Sequence, residues 1–142
     1  TEQDVAILYQ SGCVEYSRRE QNNAMFESRD FYNLSKHLFA RFEYGLDNRT
    51  SPLTLMNVHF RATADAADLR RKQCKLAHYL LRQQIIAGQD VILLGDTNLE
   101  SLAGVPMEND DGIIDLLGQA TENPQDDLVD LLLQAPEDDR RT

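Results

Sequence analysis

Hydrophobic and polar positions change period twice between residues 53 and 98. From Leu53 to Phe60 they alternate, with Leu53, Leu55, Asn57 and His59 on one face of a predicted strand and Thr54, Met56, Val58 and Phe60 on the other. From Asp65 to Ala87, Leu69, Leu76, Leu80 and Ile86 recur with Cys74, Ala77, Leu81 and Ile85 near the 3.6 period of a helix. Thr63 or Asp65 is placed to cap its start, and Gly88 to stop it. Val91 to Leu94 is then continuously apolar, as a buried strand would be, and ends at Gly95-Asp96.

The flanks are less regular. Asp4 to Tyr9 reads as a strand closed by a turn at Ser11-Gly12, and Tyr16 to Tyr32 as a polar loop. His37 to Tyr44 carries strand-forming residues, and Gly45-Leu46-Asp47-Asn48 a turn, which makes an antiparallel hairpin with the strand introduced by Ser51-Pro52. Beyond Asn98 the pattern is loop-like, with short helical stretches at Gly112 to Leu117 and Asp127 to Gln134. A strand, a long helix and a second strand form a crossover unit, which pairs parallel strands. A hairpin followed by a crossover predicts a mixed sheet and an α+β layered fold.

Charge sharpens this picture. From Asp96 onward thirteen acidic residues face two arginines, Arg140 and Arg141, whereas the part before Asp96 is nearly balanced. An acidic balance argues against tight non-specific binding to nucleic acid. It leaves room for phosphoester chemistry, because a metal ion supplies local positive charge. The helix carries Arg70, Arg71, Lys72, Lys75 and Arg82, expected on a solvated face. No apolar run approaches a membrane span, and no signal peptide is visible at the polar start. Cys13 and Cys74 have no metal-ligand spacing, and whether they pair is open, as is the compartment. A monomer is expected.

Candidate chemistry collects at two strand ends. Gly95-Asp96-Thr97-Asn98 puts a carboxylate and a neutral amide two residues apart, so in an extended segment both project the same way. A carboxylate can hold or deprotonate a water, and an amide can donate to a phosphoryl oxygen without adding negative charge. Asn57-Val58-His59 ends the strand joined to this one through a single helix, so in one parallel pair both tips open at the same edge. His59 is then a general acid or a donor to charge developing on phosphorus. His37 and His78 are expected to be structural.

Asn57-Val58-His59-Phe60-Arg61-Ala62, the helix containing Arg70-Arg71-Lys72-Gln73, and Val91-Ile92-Leu93-Leu94-Gly95-Asp96-Thr97-Asn98 together resemble the endonuclease/exonuclease/phosphatase superfamily. Its pattern there is Asn-x-His-Leu-Lys-Ala, an Arg-x-x-Gln helix, and a hydrophobic strand ending in Gly-Asp-Phe-Asn. The likeness is good from Leu53 to Asn98 and weaker before it. It implies a four-layered α/β sandwich, with mixed sheets flanked by helices, that hydrolyses phosphoesters, nucleic acid among them, with Mg²⁺ or Mn²⁺. By the same resemblance His59, Asp96 and Asn98 match catalytic positions, Asp96 also touches metal, and Asn57 and Arg61 support phosphate binding. Arg61 stands where the family often has lysine, and its guanidinium suits bidentate phosphate binding.

Thr97 replaces the usual aromatic, and Leu99-Glu100 replaces the acidic residue common after the motif. The family's upstream glutamate and downstream Ser-Asp-His are not matched. Complete domains of this type run to roughly 250 residues. Residues 1–142 are therefore expected to be the central part of one such domain, to draw most metal ligands from outside, and to hydrolyse little alone. The alternative is a non-catalytic interaction module that keeps the fold without the metal.

Overall fold

The computed structural model describes residues 5–19, 36–46, 49–100 and 110–134. Four strands, β1 (Val14–Arg19), β2 (Lys36–Leu46), β3 (Arg49–His59) and β4 (Asp90–Asp96), form one sheet in the order β1-β2-β3-β4. β1, β2 and β3 pair antiparallel, whereas β3 and β4 pair parallel. The mixed sheet and the crossover are as the sequence pattern predicts, and the fold is α+β. The described residues form two layers, the sheet and helices over one of its faces.

Alternation along β3 decides which face is covered. Thr54, Met56, Val58 and Phe60 are buried, and Phe39 of β2 joins them through its pairing with Met56. Over this face lies helix α1 (Ala67–Ile86), which buries Arg70, Gln73, Cys74, Ala77, His78 and Leu81. Spacings of three and four residues put those six on one stripe. A short helix, α2 (Ile113–Leu116), closes the core with Ile113, Leu116 and Leu117. Each large aliphatic side chain buried there contributes roughly 1.5–3 kcal/mol. Among the described residues no helix is long and apolar enough to cross a membrane.

Several expectations change. The apolar run at residues 5–10 is not a strand: it is irregular backbone beside the sheet face opposite α1, with Leu8 95% exposed. It is tied there by Asn57 Nδ2 donating to the Ala6 carbonyl at 2.8 Å and by the Tyr9 ring set edge-on to Phe42. The first strand is instead Val14–Arg19, including residues 16–19 that read as loop; the rest of that predicted loop lies outside the described residues. The hairpin turn is tighter than predicted, because Gly45 and Leu46 belong to β2 and Leu46 pairs with Arg49; Asp47 and Asn48 lie outside the described residues. Pro52 is accommodated within β3 because pairing with β4 begins only at Leu53.

β4 is not buried on both faces. Val91 and Leu93 pack on the core, but Ile92 and Leu94 remain 46% and 40% exposed on the side away from α1. The start of α1 is not side-chain capped either: a 3₁₀ turn at Ala64–Ala66 leads in, and neither Thr63 nor Ala66 makes a side-chain cap bond. Gly88 does end the helix, at φ 69°, with its N–H donating to the Ile85 carbonyl at 2.9 Å. Past α2, the helical stretch expected from Asp127 is confined to a 3₁₀ turn at Leu131–Gln134, preceded by another at Pro124–Asp126.

The cationic face of α1 is also less solvated than its composition suggests. Arg70 is buried. Arg71 donates from Nε and Nη2 to the Asp110 carbonyl at 3.1 and 2.6 Å, which anchors the chain entering α2. Lys75 Nζ stands 3.7 Å from Asp115, and Arg82 Nε stands 2.5 Å from the buried carboxylate of Asp126. His78 Nε2 is 2.9 Å from the Asp126 carbonyl oxygen, in the structural role expected of it. Cys13 is exposed, Cys74 is buried, and both are free thiols.

Candidate active site

Parallel pairing sets the site. Asn57 lies opposite Leu94, Val58 opposite Gly95, and His59 opposite Asp96, so the carboxyl ends of β3 and β4 finish together. Paired residues on neighbouring strands, roughly 4.8 Å apart, carry their side chains on the same side of the sheet. His59 and Asp96 thus share the face turned away from α1. His59 is half-buried and Asp96 exposed.

The chain beyond both strands is stitched together. Phe60 N–H donates to the Asp96 carbonyl at 2.9 Å, and Asn98 Nδ2 donates to the Phe60 carbonyl at 3.1 Å. Asn98 N–H in turn donates to Asp96 Oδ1 at 3.0 Å, closing a tight turn in which Asn98 takes φ 51°. Asparagine tolerates this left-handed backbone better than most residues. His59, Asp96 and Asn98 therefore meet around one strand pair. Asp96 Oδ2, Asn98 Oδ1 and the second amide hydrogen of Asn98 make no hydrogen bond among the described residues.

Gly95 is the position on which this meeting depends. Its φ is 123°, and a Cβ built there would run into the Val58 carbonyl and come within 2.7 Å of Asn57 Oδ1. The strand tip closes only because residue 95 has no side chain. Asn57 itself is turned to the irregular segment, its amide nitrogen engaged by Ala6.

Arg61 is exposed two residues beyond His59, and its backbone is held from the helix. Its N–H donates to Gln73 Oε1 at 3.1 Å, and its carbonyl accepts from Arg70 Nη1 at 3.2 Å. The same Arg70 nitrogen donates to the Thr63 carbonyl at 2.7 Å. Charge patterning set Arg70 on a solvated face, whereas the Arg-x-x-Gln resemblance singled out Arg70 and Gln73 together; their three-residue spacing sets both on the helix stripe facing β3.

Fitness for a hard divalent cation is partial. Mg²⁺ is commonly held by one or two carboxylates, substrate phosphate and water. Asp96 offers one such carboxylate with an uncommitted oxygen. Among the described residues no group of three or more His, Cys, Asp or Glu side chains could hold a metal ion. A groove of about 760 Å³ runs along β4, lined by apolar residues with Gly95, Thr97, Gln89, Asp90, Asp127 and Asp130, but His59, Asp96 and Asn98 do not line it. The candidate residues sit instead on the open strand tip. No family model matches the chain, and no curated protein matches it.

Proposed function

We propose that the joined tips of β3 and β4 form the centre of a metal-dependent phosphoester hydrolase. The observation that carries this is the register of the parallel pair, which sets His59 against Asp96, with Asn98 two residues further on. Asp96 orients a water for attack on phosphorus and accepts its proton. Asn98 donates an amide hydrogen to a phosphoryl oxygen, adding no negative charge to an anionic substrate. His59 donates to the oxygen on which charge develops. Arg61 holds the phosphate through its planar guanidinium.

Mg²⁺ or Mn²⁺, with Asp96 among its ligands, would neutralise phosphoryl charge as the bond breaks. Its other ligands come from residues other than those described. The substrate class is a phosphodiester or phosphomonoester, nucleic acid included. The acidic region after Asn98 disfavours tight duplex binding, since like charges repel the phosphate backbone.

One observation favours a second reading, a non-catalytic module that keeps the fold: among the described residues Asp96 is the only carboxylate at the paired tips. Hydrolysis of bis(p-nitrophenyl) phosphate by the full-length protein separates the two. The enzyme reading expects Mg²⁺-dependent turnover that falls about 10²–10³-fold in Asp96→Ala, the usual loss for a group that places charge in the transition state. Unchanged turnover in that variant rejects it, and turnover absent from the unmodified protein favours the module.

A further inference from the structure

We propose that Arg70 and Gln73 are positioning residues, which hold Arg61 at the mouth of the strand-tip site so that its guanidinium meets the phosphate. The inference rests on the phosphoester reading of that site. A guanidinium taken out of water costs several kcal/mol unless its donors are met. Arg70 is only 3% exposed, yet it serves backbone carbonyls: Nη1 donates to those of Arg61 and Thr63. Gln73, fully buried, accepts the N–H of Arg61. Two of the most buried polar side chains of α1 thus satisfy both backbone groups of one exposed surface residue.

The opposite side of the same segment is held by the site itself. Phe60, just before Arg61, gives its N–H to the Asp96 carbonyl and takes the amide of Asn98 on its own carbonyl. The chain leaving β3 is clamped at Phe60 by the strand-tip turn and at Arg61 by the helix, so the exposed Arg61 side chain springs from a fixed backbone. A long cationic side chain loses much rotamer and backbone freedom when it binds. Fixing its backbone in advance removes part of that cost, so the benefit appears in phosphate affinity, not only in folding.

A double-mutant cycle tests this, with the affinity of the full-length protein for inorganic phosphate in Mg²⁺ measured by titration calorimetry. Arg61→Ala and Arg70→Met are each expected to weaken binding about tenfold, the scale of one charge-assisted hydrogen bond. In the double variant Arg70→Met is expected to add less than twofold, because its effect runs through the Arg61 side chain. Gln73→Met, which fills the same space but cannot accept the Arg61 N–H, gives a second cycle with the same expectation and decides the matter if Arg70→Met does not fold. Equal losses in the native and Arg61→Ala backgrounds overturn the positioning role, as does phosphate affinity indifferent to Arg61→Ala. Phosphate that fails to bind the unmodified protein overturns the site reading and this inference with it.

Discussion

Gly95→Ala offers the sharpest perturbation of the strand tip. An alanine at φ 123° is strained before any contact is considered, at a cost of roughly 1–3 kcal/mol. Its Cβ would also occupy the space of the Val58 carbonyl and crowd Asn57 Oδ1 and the Val58 nitrogen, at 2.7 and 2.8 Å. The two Val58 atoms are backbone, so β3 and β4 must separate, weakening the contacts that pair Val58 with Gly95 and His59 with Asp96. One or two lost ladder bonds add roughly 1–2 kcal/mol. The sum, about 2–5 kcal/mol, is a large share of the roughly 5–15 kcal/mol that holds a typical domain together. Gly88→Ala is the control: Gly88 also has positive φ, 69°, but nothing lies within 4 Å of a Cβ there, so only the left-handed backbone cost of roughly 1–2 kcal/mol applies. Urea unfolding followed by far-ultraviolet circular dichroism measures both. Equal, small losses in the two variants would refute the close approach at Gly95.

Two further outcomes follow from burial. Burial raises the Cys74 thiol well above its ordinary pKa, with Asp111, Asp115 and Asp110 adding to the effect, while Cys13 is exposed. A disulfide reagent at pH 8 should therefore modify one thiol quickly and the second only on unfolding; two rapid equivalents would place Cys74 at the surface. Burial likewise raises the Asp115 carboxyl, with Lys75 opposing the shift. Because the folded state holds this proton more tightly than the unfolded chain, Asp115 makes stability fall as pH rises from near 3.8 through its raised value, opposite to a paired surface carboxylate. Asp115→Asn should remove that component from stability measured against pH, and an unaltered profile would contradict it.

The parts of the fold legible in the sequence are those in which periodicity and burial agree. β3 alternates because one face meets α1, and α1 repeats every three to four residues because one stripe meets the sheet. The convergence of His59 with Asp96 and Asn98 was legible for the same reason: a crossover of that length between two short strands makes them parallel neighbours. β1 was not legible. Among the described residues it is an edge strand held to β2 by backbone bonds, with a register shift between Tyr16 and Arg18, and its apolar alternation is confined to Val14 and Tyr16 before Arg18 and Arg19 end it. Residues 5–10 misled in the opposite direction, since an apolar run can lie against a sheet face without joining the sheet. Ile92 and Leu94 continued the apolar run of β4, but a run without alternation cannot say whether both faces are covered. Arg70 stood in the sequence motif with Gln73, but its burial was not legible, because a guanidinium that serves backbone carbonyls looks, in sequence, like any cation on a helix.

The most direct measurement is the paramagnetic broadening of backbone amide resonances when Mn²⁺ and inorganic phosphate are added to the protein. If the β3–β4 tips bind metal and phosphate, the amides of His59, Asp96 and Asn98 should broaden first and together, and Asp96→Ala should abolish the effect. Broadening that begins instead around Asp110, Asp111 and Asp115, with the three strand-tip amides unchanged, would contradict it.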